Sequence, residues 1–108
     1  MRTYLGNRVD GGVGMQAIWV EDGEDTRPLK IKPSMGIYNH ASEFNWGYPG
    51  SGPAQTALAI LYDVTGQKKA SERLHQNFKR AYVAGWGAHW RISETEIRAW
   101  LLANSVTL

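Results

Sequence analysis

Along the first third of the chain, apolar and polar residues alternate with a period of two; beyond residue 53 the apolar positions recur at helical spacing. Residues 3–5 read as a short strand stopped by Gly6 and Asn7, and Gly11, Gly12 and Gly14 mark a bend before the β-forming run MQAIWV at 15–20. The acidic segment EDGED at 21–25 contains an Asp22-Gly23 turn signal. In TRPLKIK, which follows, Leu29 and Ile31 alternate with Lys30 and Lys32, so a hairpin with one wet face is predicted. Together these runs predict about three antiparallel strands. From 33 to 49 neither period holds, because prolines, glycines, serines and asparagines interrupt it; a loop of that length is commonly functional or pinned by its own aromatic residues.

The helical half opens at Pro53. Proline suits the first position of a helix, where the N–H has no intrahelical partner, and this makes Gly52 or Ser51 the expected cap. The next segment, AQTALAILYDV, is apolar on nearly every side, so this helix is predicted to be central, with Gly66 ending it. A second helix is predicted over 67–84, with Ala70, Leu74, Phe78, Ala81 and Tyr82 on one face and Lys69, Arg73, Gln76 and Arg80 on the other. After a GWG break, HWRI at 89–92 reads as a short extended piece. Ser93 and Glu96 then have the spacing of a capping box ahead of a third helix, buried through Ile97, Trp100 and Leu101. The expected architecture is α+β: a small N-terminal antiparallel sheet packed on about three C-terminal helices, in one domain spanning 1–108. Trp19, Trp90 and Trp100 fall at predicted core positions.

At 43% apolar and 20% charged, with five tryptophans and five tyrosines, the chain has the composition of a folded globule. It has no cysteine, which excludes a disulfide framework, thiol catalysis and thiolate metal sites. No apolar run approaches the ~20 residues that span a bilayer, and MRTYLGNRVDGG lacks the apolar core of a secretory signal, so a soluble, cytoplasmic protein without membrane association is expected. The net charge of +2 is unevenly spread. Residues 21–25 hold four acids, whereas 68–91 hold six Lys or Arg against one acid, Glu72.

Chemistry is sought first in FNWGYPGSGPAQTALAIL, residues 44–61. GYPGSG has the glycine spacing of a phosphate loop, but Pro53 and Ala54 stand where that motif needs its Lys and its Ser or Thr, which removes the phosphate and magnesium ligands. A weaker form survives: backbone N–H groups at Gly50, Ser51, Gly52 and Ala54 could hold a small anion or nucleotide at the helix N-terminus. Ser51 lacks the G-x-S-x-G context of a nucleophile and has no assigned base. His40, His75 and His89 lie far apart and form no H-x-x-x-H or H-E-x-x-H pair, so no metal or other cofactor is expected. EDGED does not match a calcium loop.

Two features remain. The stripe Lys69, Arg73 and Arg80, with Lys68, Lys79 and Arg91 near it, has the form of an electrostatic footprint for a phosphate backbone or an acidic partner. Trp46 and Trp86 sit beside glycines in irregular segments, in company with Tyr38, Phe44 and Tyr48, and loop aromatics are frequent hot spots of protein interfaces.

The motif F-x-W-G-Y-x-G-S-G-P-A-Q-x-A-L-A-I-L resembles the signature of a domain-of-unknown-function family of short bacterial, plasmid and phage proteins. Here it is carried by Phe44, Trp46-Gly47-Tyr48, Gly50-Ser51-Gly52-Pro53-Ala54-Gln55 and Ala57-Leu58-Ala59-Ile60-Leu61. Phe78-Lys79, Val83-Ala84, Trp90, Ile92-Ser93, Ile97 and Trp100-Leu101 are similar too. The resemblance implies a protein of mobile elements that acts by binding host machinery. The leading expectation is therefore a non-enzymatic interaction domain that binds a host protein or nucleoprotein complex, for example as an anti-CRISPR-like inhibitor, through Trp46, Tyr48, Lys69, Arg73, Arg80 and Trp86. The alternatives are a small-anion or nucleotide domain using residues 50–54, and nucleic-acid binding through the basic second helix.

Overall fold

The computed structural model describes residues 1–104. Four antiparallel strands, β1 (Arg2–Asn7), β2 (Ile18–Asp22), β3 (Asp25–Pro28) and β4 (His89–Ser93), form one sheet in the order β3-β2-β1-β4. Four helices accompany it: a single turn α1 (Lys32–Met35), then α2 (Ser51–Thr65), α3 (Lys68–Ala81) and α4 (Glu94–Asn104). The α+β class agrees with the expectation, while the counts differ. HWRI becomes a full edge strand that pairs with β1, and the first turn of the expected loop is helical. Among the described residues no helix is long and apolar enough to cross a membrane.

One face of the sheet is buried. Tyr4, Ile18, Val20, Trp90 and Ile92 alternate inward and join α2 residues Ala57, Leu58, Ile60 and Leu61 and the α3 and α4 residues Leu74, Phe78, Ile97 and Leu101 in the core. Each such large aliphatic or aromatic side chain contributes roughly 1.5–3 kcal/mol when fully buried. α2 is enclosed from Gly52 to Leu61, as its all-round apolar sequence requires. It begins two residues earlier than predicted. Gly50, in extended conformation, is the cap, and Pro53 is the third helical residue, still inside the first turn where an N–H is dispensable. At its other end Gly66 adopts φ 66° and donates its N–H to the Tyr62 carbonyl, the left-handed stop that the sequence announces. α3 ends at Ala81, short of the predicted Ala84, and a 3-10 turn, Val83–Gly85, follows.

Polar ties fix the sheet to the helices. Asp63 on α2 accepts the Tyr4 hydroxyl at 2.6 Å and the Arg27 guanidinium at 3.0 Å, so one carboxylate joins β1 and β3 to the helix. Burial and the bond to Asp63 raise the Tyr4 hydroxyl far above the usual tyrosine range, keeping it a donor. Ser93 caps α4 by accepting the Glu96 N–H at 3.0 Å.

Glu94 clamps the start of β1: one oxygen accepts the Arg2 N–H at 3.0 Å and the other the Arg98 guanidinium at 2.7 Å, while Arg98 also reaches the Val64 carbonyl. The bonds from Arg2 and Arg98 hold its carboxyl below the ordinary value of 4.5. A depressed folded pKa gives stability that is fully present above the unfolded value and is lost as pH falls through the folded one. Urea midpoints of wild type and Glu94→Gln should therefore differ most at pH 7 and converge as pH drops below about 4.3. A gap that widens on acidification would show that Glu94 is not held as the anion.

Candidate functional site

Three tryptophans from separate segments stack from the core to the surface. Trp46 is fully buried, and its indole N–H donates to the Gly87 carbonyl at 2.9 Å. Its ring meets Trp90 edge-on, with centroids 5.4 Å apart, and Trp90 lies nearly parallel to Trp86 at 3.8 Å. Trp86, half-buried, is the outer member. Arg8 fastens this loop from β1's end: its guanidinium donates to the Trp46 carbonyl at 2.6 Å and to Asn45 at 3.0 Å, and lies 5.2 Å from the centre of the Trp46 ring.

The turn after Trp46 touches the turn after α3. Gly47 donates its N–H to the Val83 carbonyl at 3.0 Å with φ 87°, and a Cβ there would lie 2.9 Å from the Trp86 carbonyl, so only glycine permits the approach. Tyr48, Arg80 and Trp86 each lie within three residues of this bond. Tyr48 is 44% exposed, and Lys69, Arg73 and Arg80 line the outer side of α3, whose last turn also carries Lys79. Five of the six expected contact residues are thus at least partly accessible. Trp46 is the exception and is withdrawn as a contact: a ring with no exposed surface, packed against Trp90 and hydrogen-bonded to Gly87, anchors the loop and cannot meet a partner in this fold.

The anion alternative fares poorly. Gly52 and Ala54 are buried, and the Ala54 N–H is spent within the helix on the Gly50 carbonyl at 3.1 Å. Pro53 has no N–H, which leaves the amides of Gly50, Ser51 and Gly52, and the adjoining cleft of about 370 Å³ is lined by Glu43, whose carboxylate repels an anion. Ser51 is the first helical residue, and the cap is Gly50, which has no side chain to bond the helix start. A larger cleft of about 570 Å³, walled by Pro28, Leu29, Pro33 and Tyr62, contains none of the expected site residues; Arg27 and Asp63 in it are paired with each other.

Two arrangements were not apparent from the sequence. His40, on the loop, and His75, on α3, bring their Nε2 atoms to 2.9 Å, although 35 positions separate them. His75 Nδ1 faces the Glu72 carbonyl, which can only accept, so Nδ1 carries the proton and the neutral ring presents the Nε2 lone pair to His40. Tyr38 packs against the His40 ring at 4.3 Å. Burial is the main cause lowering both imidazoles below their ordinary value, with the charge of Lys79 acting in the same sense.

The second lies at the sheet's open face. Trp19, expected in the core, is 40% exposed, because Ile18 and Val20 take the inward positions of β2 and alternation sends Trp19 out. The inversion continues upstream, where Val13, Met15 and Ala17 are exposed while Gln16 is fully buried. Gln16 accepts the Val9 N–H at 2.9 Å and donates to the Val9 carbonyl at 3.1 Å, holding the glycine-rich bend around itself. Period-two alternation carried one step back from Ile18 would have found it.

A family model describes residues 4–103 of this chain, nearly its whole length. The chain belongs to the family of unknown function DUF6166. No curated protein and no solved structure matches it. The span shared with DUF6166 runs from within β1 to within the last turn of α4, so the tryptophan stack, the basic face of α3 and the histidine pair all fall inside it.

Proposed function

We propose that this DUF6166 chain is a non-enzymatic interaction domain that docks on an acidic protein or nucleoprotein surface. Lys69, Arg73 and Arg80 supply the charge, and Tyr48 and Trp86 the apolar contact. The observation that carries the proposal is the Gly47–Val83 bond, which seats both aromatic turns at the end of α3 where the basic face finishes. A tryptophan-backed anchor beside exposed cations is the usual division of labour in an interface: the aromatic supplies buried area, and the charges supply steering and register.

The test is capture from a cell lysate by immobilised wild type and by the triple variant Lys69→Glu, Arg73→Glu, Arg80→Glu. Exposed substitutions of this kind change stability by about 0.5 kcal/mol or less each, so the variant should keep its circular-dichroism spectrum and lose at least tenfold of the captured partner. Undiminished capture would remove the basic face from the interface. Capture that disappears on nuclease digestion would point to nucleic acid alone.

The exposed Trp19 on the open face of β2, with the exposed Val13, Met15 and Ala17 in the segment before it, supports a second reading, in which the partner meets these residues. Met15→Glu with Trp19→Glu then abolishes capture while the triple charge reversal leaves it intact.

A further inference from the structure

We propose that His40 and His75 form a binding site for a divalent first-row transition ion such as nickel or zinc, with Glu72 as a third donor. The proposal is independent of the docking surface. It rests on three observations: the convergence of two imidazole Nε2 atoms from different elements, the fixed orientation of one of them, and a carboxylate one turn away on the same helix.

The separation suits an ion. Metal–imidazole bonds are about 2.0–2.1 Å, so two nitrogens on one ion are about 2.9 Å apart at a right angle and about 3.3 Å apart at the tetrahedral angle. The observed 2.9 Å matches the first and needs a few tenths of an ångström for the second. The rings, 5.0 Å apart between centroids and inclined at 46°, must turn so that both lone pairs leave the line between the nitrogens and aim at one point beside it.

His75 has the support that ligating histidines have. Its Nδ1–H is bound to the Glu72 carbonyl, which fixes tautomer and ring direction and leaves Nε2 as the free donor. His40 is oriented from two sides: Tyr38 packs on its ring, and its backbone N–H donates to Gln55 at 2.7 Å. In the metal-free protein His40 Nε2–H donates to His75. On binding, that proton moves to His40 Nδ1 through solvent, both Nε2 lone pairs go to the ion, and no net proton is released.

Glu72 stands three residues before His75, so both project from one side of α3, and its side chain is exposed. Among the described residues no three His, Cys, Asp or Glu side chains are already gathered for a metal, so the carboxylate must swing in to complete the set. Lys79, one turn beyond His75, opposes a cation and weakens the site.

The experiment is isothermal titration of the tag-free chain with nickel chloride and zinc chloride, alongside ¹⁵N imidazole spectra. One ion per chain is expected, with the Nε2 resonances of His40 and His75 shifted and those of His89 unmoved. His40→Ala and His75→Ala should each weaken binding at least tenfold, Glu72→Gln severalfold, and His89→Ala not at all. No saturable binding below 1 mM, or wild-type affinity in His40→Ala, overturns the site; wild-type affinity in Glu72→Gln overturns the carboxylate's part. Should His75→Ala fail to fold, His40→Ala and the wild-type spectra decide.

Discussion

Trp46→Ala should unfold the protein's centre rather than trim a binding surface. Truncating a fully buried tryptophan costs about 3–5 kcal/mol, through lost transfer energy and the cavity left behind. Here the cavity opens beside Trp90, which loses its edge-to-face partner, and the cation of Arg8 loses the ring it lies against. A domain of this size has roughly 5–15 kcal/mol in all, and each kcal/mol moves the melting temperature by about 4–8 °C. A fall of roughly 15 °C or more is expected by calorimetry. Trp46→Phe separates the contributions. It keeps an aromatic ring against Trp90 and gives up the bond to Gly87, whose residue is exposed enough for water to replace the donor, so its loss should be less than half as large. A Trp46→Ala protein that melts like wild type yet captures no partner would reverse the assignment and return Trp46 to the interface.

The error over Trp46 and the success over α4 have related causes. Ser93 and Glu96 meet through a bond spanning three residues, and Gly66 stops α2 with a bond to Tyr62, so both were legible from local spacing. Trp46 depends on Gly87, Trp90 and Arg8, about forty residues away in either direction, and no local pattern encodes that meeting. From the sequence, its flanking glycine placed it only in an irregular segment. Gly47 in fact marks a close approach of two backbones, the other reason for glycine in such a place. β4 was legible as an extended piece but not as a sheet edge, because its partner is the first strand of the chain. The candidate site divides the same way. The basic stripe of α3 follows from helical spacing alone, whereas the union of His40 with His75 needs the loop to fold back over the helix, and the only local hint was the E-x-x-H spacing of Glu72 and His75.

Gln55→Leu should cost about 3 kcal/mol, although the two side chains differ little in volume. Gln55 follows Pro53 and Ala54, the two residues that break the phosphate-loop pattern of GYPGSG, and it is fully buried. Its carbonyl oxygen accepts the N–H groups of His40 at 2.7 Å and Ala41 at 3.2 Å, and its amide donates to Ser34 Oγ at 2.8 Å, so a single α2 side chain satisfies the loop and braces α1. Leucine fills the space and leaves two N–H groups without an acceptor, each at about 1–3 kcal/mol and less than additive because they share one oxygen. Gln55→Glu is the sharper probe. The Ser34 hydroxyl already donates to the Ile31 carbonyl at 2.6 Å, so only a protonated glutamic acid can donate to Ser34 Oγ as the amide does. Burial and that donated proton raise the folded pKa of the new carboxyl above its unfolded value of about 4.3, opposed in part by the N–H groups of His40 and Ala41 on its other oxygen, which favour the anion. A raised folded pKa gives stability that is fully present below the unfolded value and is lost as pH rises through the folded one, the opposite sense to Glu94. Urea titrations should find Gln55→Glu close to wild type near pH 4 and weaker at pH 7, measured against wild type at each pH to remove the effect of the other carboxylates. Equal losses at both values would mean that water reaches position 55, and the loop bearing His40 would then owe its position to the tryptophan stack and Arg8 rather than to α2.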